Sequence, residues 1–100
     1  MQEFIYRLRL VARLQSESAW GEAEHATLQR HVSYLKDAAM AGTVILAGRT
    51  REDFPVTFGL VVYRALDEKA AWDFMAADPA VLAGMMTAEL HSFSVVVAGK

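Results

Sequence analysis

From Phe4 to Leu14 the residues Phe4, Tyr6, Leu8, Leu10, Ala12 and Leu14 alternate with Ile5, Arg7, Arg9, Val11 and Arg13, the two-residue period of a strand with one apolar and one mixed face. The period then lengthens. Ser16 or Ser18 offers an N-cap, and Ala19 to Ala41 carries apolar residues at helical spacing, with Leu28, Val32, Leu35 and Ala39 on one stripe, until Gly42 supplies a stop. Thr43 to Ala47 is a short β-branched and apolar run closed by Gly48, and Val56 to Tyr63 predicts another strand after Pro55. The charged stretch Arg49 to Pro55 joins them as an irregular connection. Asp67 is placed to cap a helix over Lys69 to Ala77, with Ala71, Phe74 and Met75 facing inward. Asp78 should end that helix, because a residue before proline disfavours the helical region, and Pro79 then opens a short further turn with Asp78 as its cap. A last strand is expected from about Glu89 to Ala98.

The resulting order, β-α-β-β-α-β, is the split-βαβ arrangement, a ferredoxin-like α+β fold in which a four-stranded antiparallel sheet carries both helices on one face. The other face is not polar enough to meet water. Val56, Phe58, Leu60 and Val62 alternate with Val61 and Tyr63, and Phe93, Val95 and Val97 alternate with Val96, so both strand faces carry large apolar groups. A homodimer packing sheet against sheet would cover that second face, with a cavity between sheet and helices.

Composition narrows the class. At 100 residues the chain is expected to be one domain, 1–100, and 54% hydrophobic residues make it too apolar to be disordered. A formal net charge of −2 leaves no electrostatic footprint for nucleic acid or an anionic membrane surface. The lack of cysteine excludes a disulfide framework and thiolate catalysis, and it fits a cytoplasmic protein. No basic segment followed by an apolar run opens the chain, and no stretch reaches the ~20 apolar residues that span a bilayer.

Against that background His31 stands out, because it interrupts the apolar stripe of the long helix. It has two readings. A partly buried histidine can bond to a neighbouring strand and do nothing more. Alternatively imidazole, with a reference pKa of ~6.5, can accept and donate protons near neutral pH, provided one nitrogen faces the substrate while a carboxylate fixes the tautomer through the other. Asp78 could be that carboxylate, although Asp before Pro at a helix start is fully explained as a cap. The roles are compatible if one carboxylate oxygen accepts from backbone N–H groups and the other from His31.

Taken together, Arg30-His31, Tyr34-Leu35, Gly42, Leu46-Ala47-Gly48, Ala76-Ala77-Asp78-Pro79 and Ala83-Gly84 resemble the pattern of YciI-like (YCII-related) proteins over nearly the whole chain. The resemblance implies a ferredoxin-like protomer in a dimeric α+β barrel, with a histidine and an aspartate proposed as a catalytic dyad; these map onto His31 and Asp78. It also implies chemistry of the kind tied to a few members, dehydrochlorination of chlorinated aromatic intermediates, with a related fold used for muconolactone isomerisation. Arg49 departs from the pattern, which tends to have proline after the Ala-Gly pair, and so does the short Arg49 to Pro55 loop. Both departures bear on the cavity rim and hence on the substrate.

A guanidinium in a cleft suits a carboxylate or phenolate through its forked donors. Arg7, Arg9 and Arg49 are therefore candidate substrate-binding residues, with Arg7 or Arg9 expected to anchor the substrate if the mixed face of the first strand lines the cavity. Otherwise they are solvated charges. His25 and His31 lie about 240° apart around a helix and cannot face one ion together, so no metal is expected. The serines lack an elbow motif such as G-x-S-x-G. An RNA-recognition module shares this element order, but Phe58-Gly59-Leu60-Val61-Val62-Tyr63 lacks the preceding basic residue and glycine and has Leu60 for the central aromatic. The expectation is a small cytoplasmic isomerase or lyase acting on an anionic ring compound without a cofactor. A dimeric binding or regulatory module without catalysis is the alternative.

Overall fold

The computed structural model describes residues 1–99. Its elements are β1 (Gln2–Leu10), α1 (Glu22–Met40), β2 (Val44–Arg49), β3 (Gly59–Ala65), α2 (Glu68–Ala76), α3 (Pro79–Leu82) and β4 (Met86–Phe93), with 3-10 turns at Ala12–Leu14 and Glu17–Ala19. The strands form one antiparallel sheet in the order β2-β3-β1-β4. This is the ferredoxin-like α+β arrangement that the element order predicts.

Alternation on β1 decides what each side of the sheet carries. Phe4, Tyr6 and Leu8 are almost fully buried and pack with Val44, Val61, Tyr63, Ala71 and Met75 in the core on the helix side. The Tyr6 and Tyr63 rings meet edge to face at 5.4 Å. On the other side Ile5 pairs with Val62 and His91, and Arg7 pairs with Leu60 and Glu89.

Several boundaries differ from the periodicity. β1 ends at Leu10 rather than Leu14, where the Val11 N–H donates to the Met85 carbonyl and the Leu14 N–H to Val11 in a 3-10 turn. α1 starts at Glu22 rather than Ala19. The hydroxyls of Ser16 and Ser18 bond each other instead of capping, while the Glu24 carboxylate reaches back to the Gly21 N–H at 2.7 Å. That backbone donor holds the Glu24 carboxyl below its ordinary pKa. β3 starts at Gly59 because the Val56 and Thr57 N–H groups both close a turn onto the Asp53 carbonyl. β4 spans Met86–Phe93, and Val96 and Val97 lie outside it and exposed.

The stop at Gly42 has the expected form. Gly42 lies at φ +87°, its N–H donates to Ala39, and the Thr43 N–H donates to Ala38, so the last carbonyls of α1 are satisfied. A Cβ built there meets nothing within 4 Å, so Gly42→Ala tests conformation alone. Urea unfolding of Gly42→Ala should show a loss of about 1–2 kcal/mol; an unchanged midpoint would mean that the left-handed position carries no constraint.

Candidate functional site

α2 ends before Asp78, and α3 begins on it. The Asp78 carboxylate accepts from the Ala80 N–H at 3.0 Å, and Pro79 opens the short helix. The same Oδ1 lies 2.6 Å from His31 Nδ1. The other oxygen, Oδ2, accepts from the Tyr6 hydroxyl at 2.7 Å. One oxygen therefore takes both the cap and the histidine, whereas the sequence reading divided them between the two oxygens. The Asp78 side chain is completely buried and His31 is 8% exposed. Two N–H and O–H donors, Ala80 and Tyr6, specify Asp78 as an acceptor. Nδ1 of His31 is then the protonated nitrogen, and Nε2 is the one left for other chemistry.

His31 lines an open cavity of about 630 Å³ between α1 and the sheet. Leu28, Val32 and Leu35 of α1 face Leu8, Val44 and Val61 across it, and Trp20 and Phe54 add aromatic lining. The helical stripe of the sequence is thus a cavity wall, and Val32 is 42% exposed for that reason. The size and lining suit a small-molecule site, largely apolar with a few polar groups. Glu17, Lys36 and Arg49 are its charged lining residues. Arg49 pairs with Gly59, which pairs in turn with Leu8, so its position belongs to the helix side of the sheet.

Arg7 and Arg9 do not join it. They occupy the odd positions of β1, so the mixed face turns away from His31 and Asp78. Both guanidinium groups lie over the Phe58 ring, at 5.4 and 5.8 Å; Arg7 pairs with Glu89 at 3.3 Å, and Arg9 donates to the Pro55 carbonyl. They tie the 50–58 connection to the sheet. His25 stacks edge-on against Trp20, and His91 sits beside Glu89 on the outer face. Among the described residues no three His, Asp or Glu side chains are grouped to hold a metal ion. No helix among them is long and apolar enough to cross a membrane.

Tyr6 is the residue that the sequence reading missed as a polar group. Its alternation with Phe4 and Leu8 marked it as core, and only its even position, shared with the cavity residue Leu8, could have signalled its side. All three tyrosine hydroxyls are held above their ordinary value: Tyr6 by burial and then the Asp78 charge, Tyr34 likewise, and Tyr63 mainly by burial. The fold therefore favours the neutral phenols. Their stability contribution is intact below the unfolded pKa of about 10 and falls as pH rises above it, because the unfolded chain ionises first. Tyrosinate absorbance should stay flat beyond pH ~10 while far-ultraviolet dichroism is retained, then appear as the fold is lost. A tyrosine ionising near pH ~10 in the folded protein would contradict this burial.

Fold and site together define a small ferredoxin-like α+β protein that turns a buried histidine–carboxylate pair toward an apolar cavity. The chain belongs to the family of the YCII-related domain, whose model matches residues 8–93. Among solved structures it is similar to 5-chloro-2-hydroxyhydroquinone dehydrochlorinase (TftG) from Burkholderia phenoliruptrix AC1100, in complex with 2,5-dihydroxybenzoquinone. The TM-score is 0.68 at 14% identity, over 92% of this chain and 93% of that one. That likeness is one of fold. SnoaB, a cofactor-independent oxygenase from Streptomyces nogalater, aligns over 98% of this chain and 97% of its own at 17% identity, with a TM-score of 0.47. No curated protein sequence matches the chain.

Proposed function

We propose that the protein is a small cofactor-independent enzyme of isomerase or lyase type, moving a proton on an anionic ring compound held in the α1–sheet cavity. The observation that carries this reading is the 2.6 Å pairing of His31 with a fully buried Asp78 at the wall of that cavity. Nε2 of His31 takes the proton, and Asp78 holds the ring in the Nδ1–H tautomer and stabilises the imidazolium that forms. Returning the proton to another carbon completes an isomerisation. In a dehydrochlorination Nε2 takes a substrate proton, the electron pair left behind forms a new π bond as the C–Cl bond breaks, and the imidazolium then releases its proton to solvent, so that HCl is lost overall. Of the three candidate arginines, Arg49 is the one on the cavity, and its forked donors suit a carboxylate or phenolate.

The aromatic lining residues Trp20 and Phe54 suit a flat ring. TftG, whose fold the chain shares, supplies the first compounds to assay: chlorinated hydroxyquinols, with muconolactones beside them. The test is turnover by wild type, His31→Ala and Asp78→Asn, and equal rates in all three would remove the dyad. We also propose a homodimer contact on the outer sheet face, where Phe93 is 43% exposed. A folded monomer at micromolar concentration would contradict it.

A further inference from the structure

We propose that Tyr6 is a positioning residue for the His31–Asp78 pair, its hydroxyl fixing the plane of the Asp78 carboxylate so that Oδ1 faces His31 Nδ1. The inference rests on the proton-transfer reading above and names a third member of the same site.

The three tyrosines separate by what their hydroxyls hold. Tyr63 donates to the Ala71 carbonyl at 2.7 Å and Tyr34 to the Phe74 carbonyl at 2.8 Å, so both bind the backbone of α2. Those are packing roles. Tyr6 instead reaches a side chain 72 positions away, at 2.7 Å, from a ring that is itself fully buried. Phenylalanine would fill the same core volume, as Phe4 does two residues earlier, so packing does not account for the hydroxyl.

The division of donors around Asp78 gives that hydroxyl its role. His31 and Ala80 both bond to Oδ1, which lies off the Cβ–Cγ axis, so together they leave the carboxylate only the freedom of small rotations about that bond. Among the described residues Tyr6 is the donor to Oδ2, and it removes that freedom. Tyr6 is not among the residues that line the cavity, and its hydroxyl is directed to Asp78. Its effect passes through Asp78 to the Nδ1–H of His31, and so to the direction in which Nε2 points. Second partners of this kind set ring orientation at other histidine sites.

The experiment is proton NMR of the His31 Nδ1–H, with its solvent exchange measured in wild type, Tyr6→Phe and Tyr63→Phe. Loss of a hydrogen bond to a charged group is expected to raise opening of the pair, and exchange with it, about tenfold or more in Tyr6→Phe. Tyr63→Phe, which loses a buried hydroxyl of comparable length from the same core, should leave the resonance in place. Exchange in Tyr6→Phe no faster than in Tyr63→Phe would overturn the assignment. If Tyr6→Phe does not fold, the wild type decides: the Tyr6 hydroxyl proton must be protected and lie close to the Asp78–His31 proton, and a freely exchanging hydroxyl overturns it. No substrate enters these measurements, so an absence of turnover would count against the proposed reaction and leave the Tyr6 result standing.

Discussion

Asp78→Ala is expected to lower the unfolding free energy by about 3–5 kcal/mol, because it removes a helix cap and leaves buried donors without their acceptor. Three donors lose their acceptor at once: the Tyr6 hydroxyl, the His31 Nδ1–H and the Ala80 N–H. The cap alone accounts for about 1 kcal/mol. Each buried donor left unsatisfied adds about 1–3 kcal/mol, partly relieved where His31 can turn to water in the cavity. Asp78→Asn should cost much less. The amide oxygen can keep His31 and Ala80, and the Tyr6 hydroxyl can reverse and accept from the amide nitrogen. Urea unfolding of the two variants side by side checks this. Equal and small losses would mean that the buried carboxylate is not what its three bonds indicate.

His31→Ala is expected to reduce turnover by about 10²–10⁴-fold, the usual contribution of a positioned general base. The site offers little to replace it. The other charged lining groups, Glu17, Lys36 and Arg49, are exposed side chains. Asp78→Asn should also lose rate while keeping its fold, because the neutral amide no longer stabilises the imidazolium. Circular dichroism must show both variants folded, since His31→Ala leaves Asp78 with only Tyr6 and Ala80. Rates within twofold of wild type in a folded His31→Ala would sink the mechanism.

Much of the fold was legible because its signals are local. Two-residue and helical periods placed the strands and helices in order, and Asp67, Gly42 and Asp78-Pro79 punctuated them where the structure has caps and stops. The ends of strands were less legible, for reasons visible in particular residues. Leu14 is inward in the 3-10 turn, 1% exposed, as it would be in a continued strand, so alternation alone does not register the bend after Leu10. Val95 to Val97 have strand composition, yet the ladder of β4 stops at Phe93, which pairs with Glu3 near the start of β1. A strand ends where its neighbour does, and its own residues do not record that.

The candidate site divided in the same way. Helical spacing singled out His31 and the proline singled out Asp78, each within a few residues of chain. Their meeting across 47 positions, and that of Asp78 with Tyr6 across 72, depends on how α1 and α3 pack against each other and against the sheet. Parity on β1 made Arg7 and Arg9 share a face, but only the side on which the helices settle shows that this face looks away from His31. Local pattern was enough for the kinds of element, their order and the antiparallel sheet they form, and it singled out His31 and Asp78. The tertiary structure decided which carboxylate oxygen meets which donor, that Tyr6 holds the other one, and that Arg49 is the arginine at the cavity. The physical reason is range: periodicity and capping act over one or two turns of chain, whereas register and packing join residues whose separation no local pattern encodes.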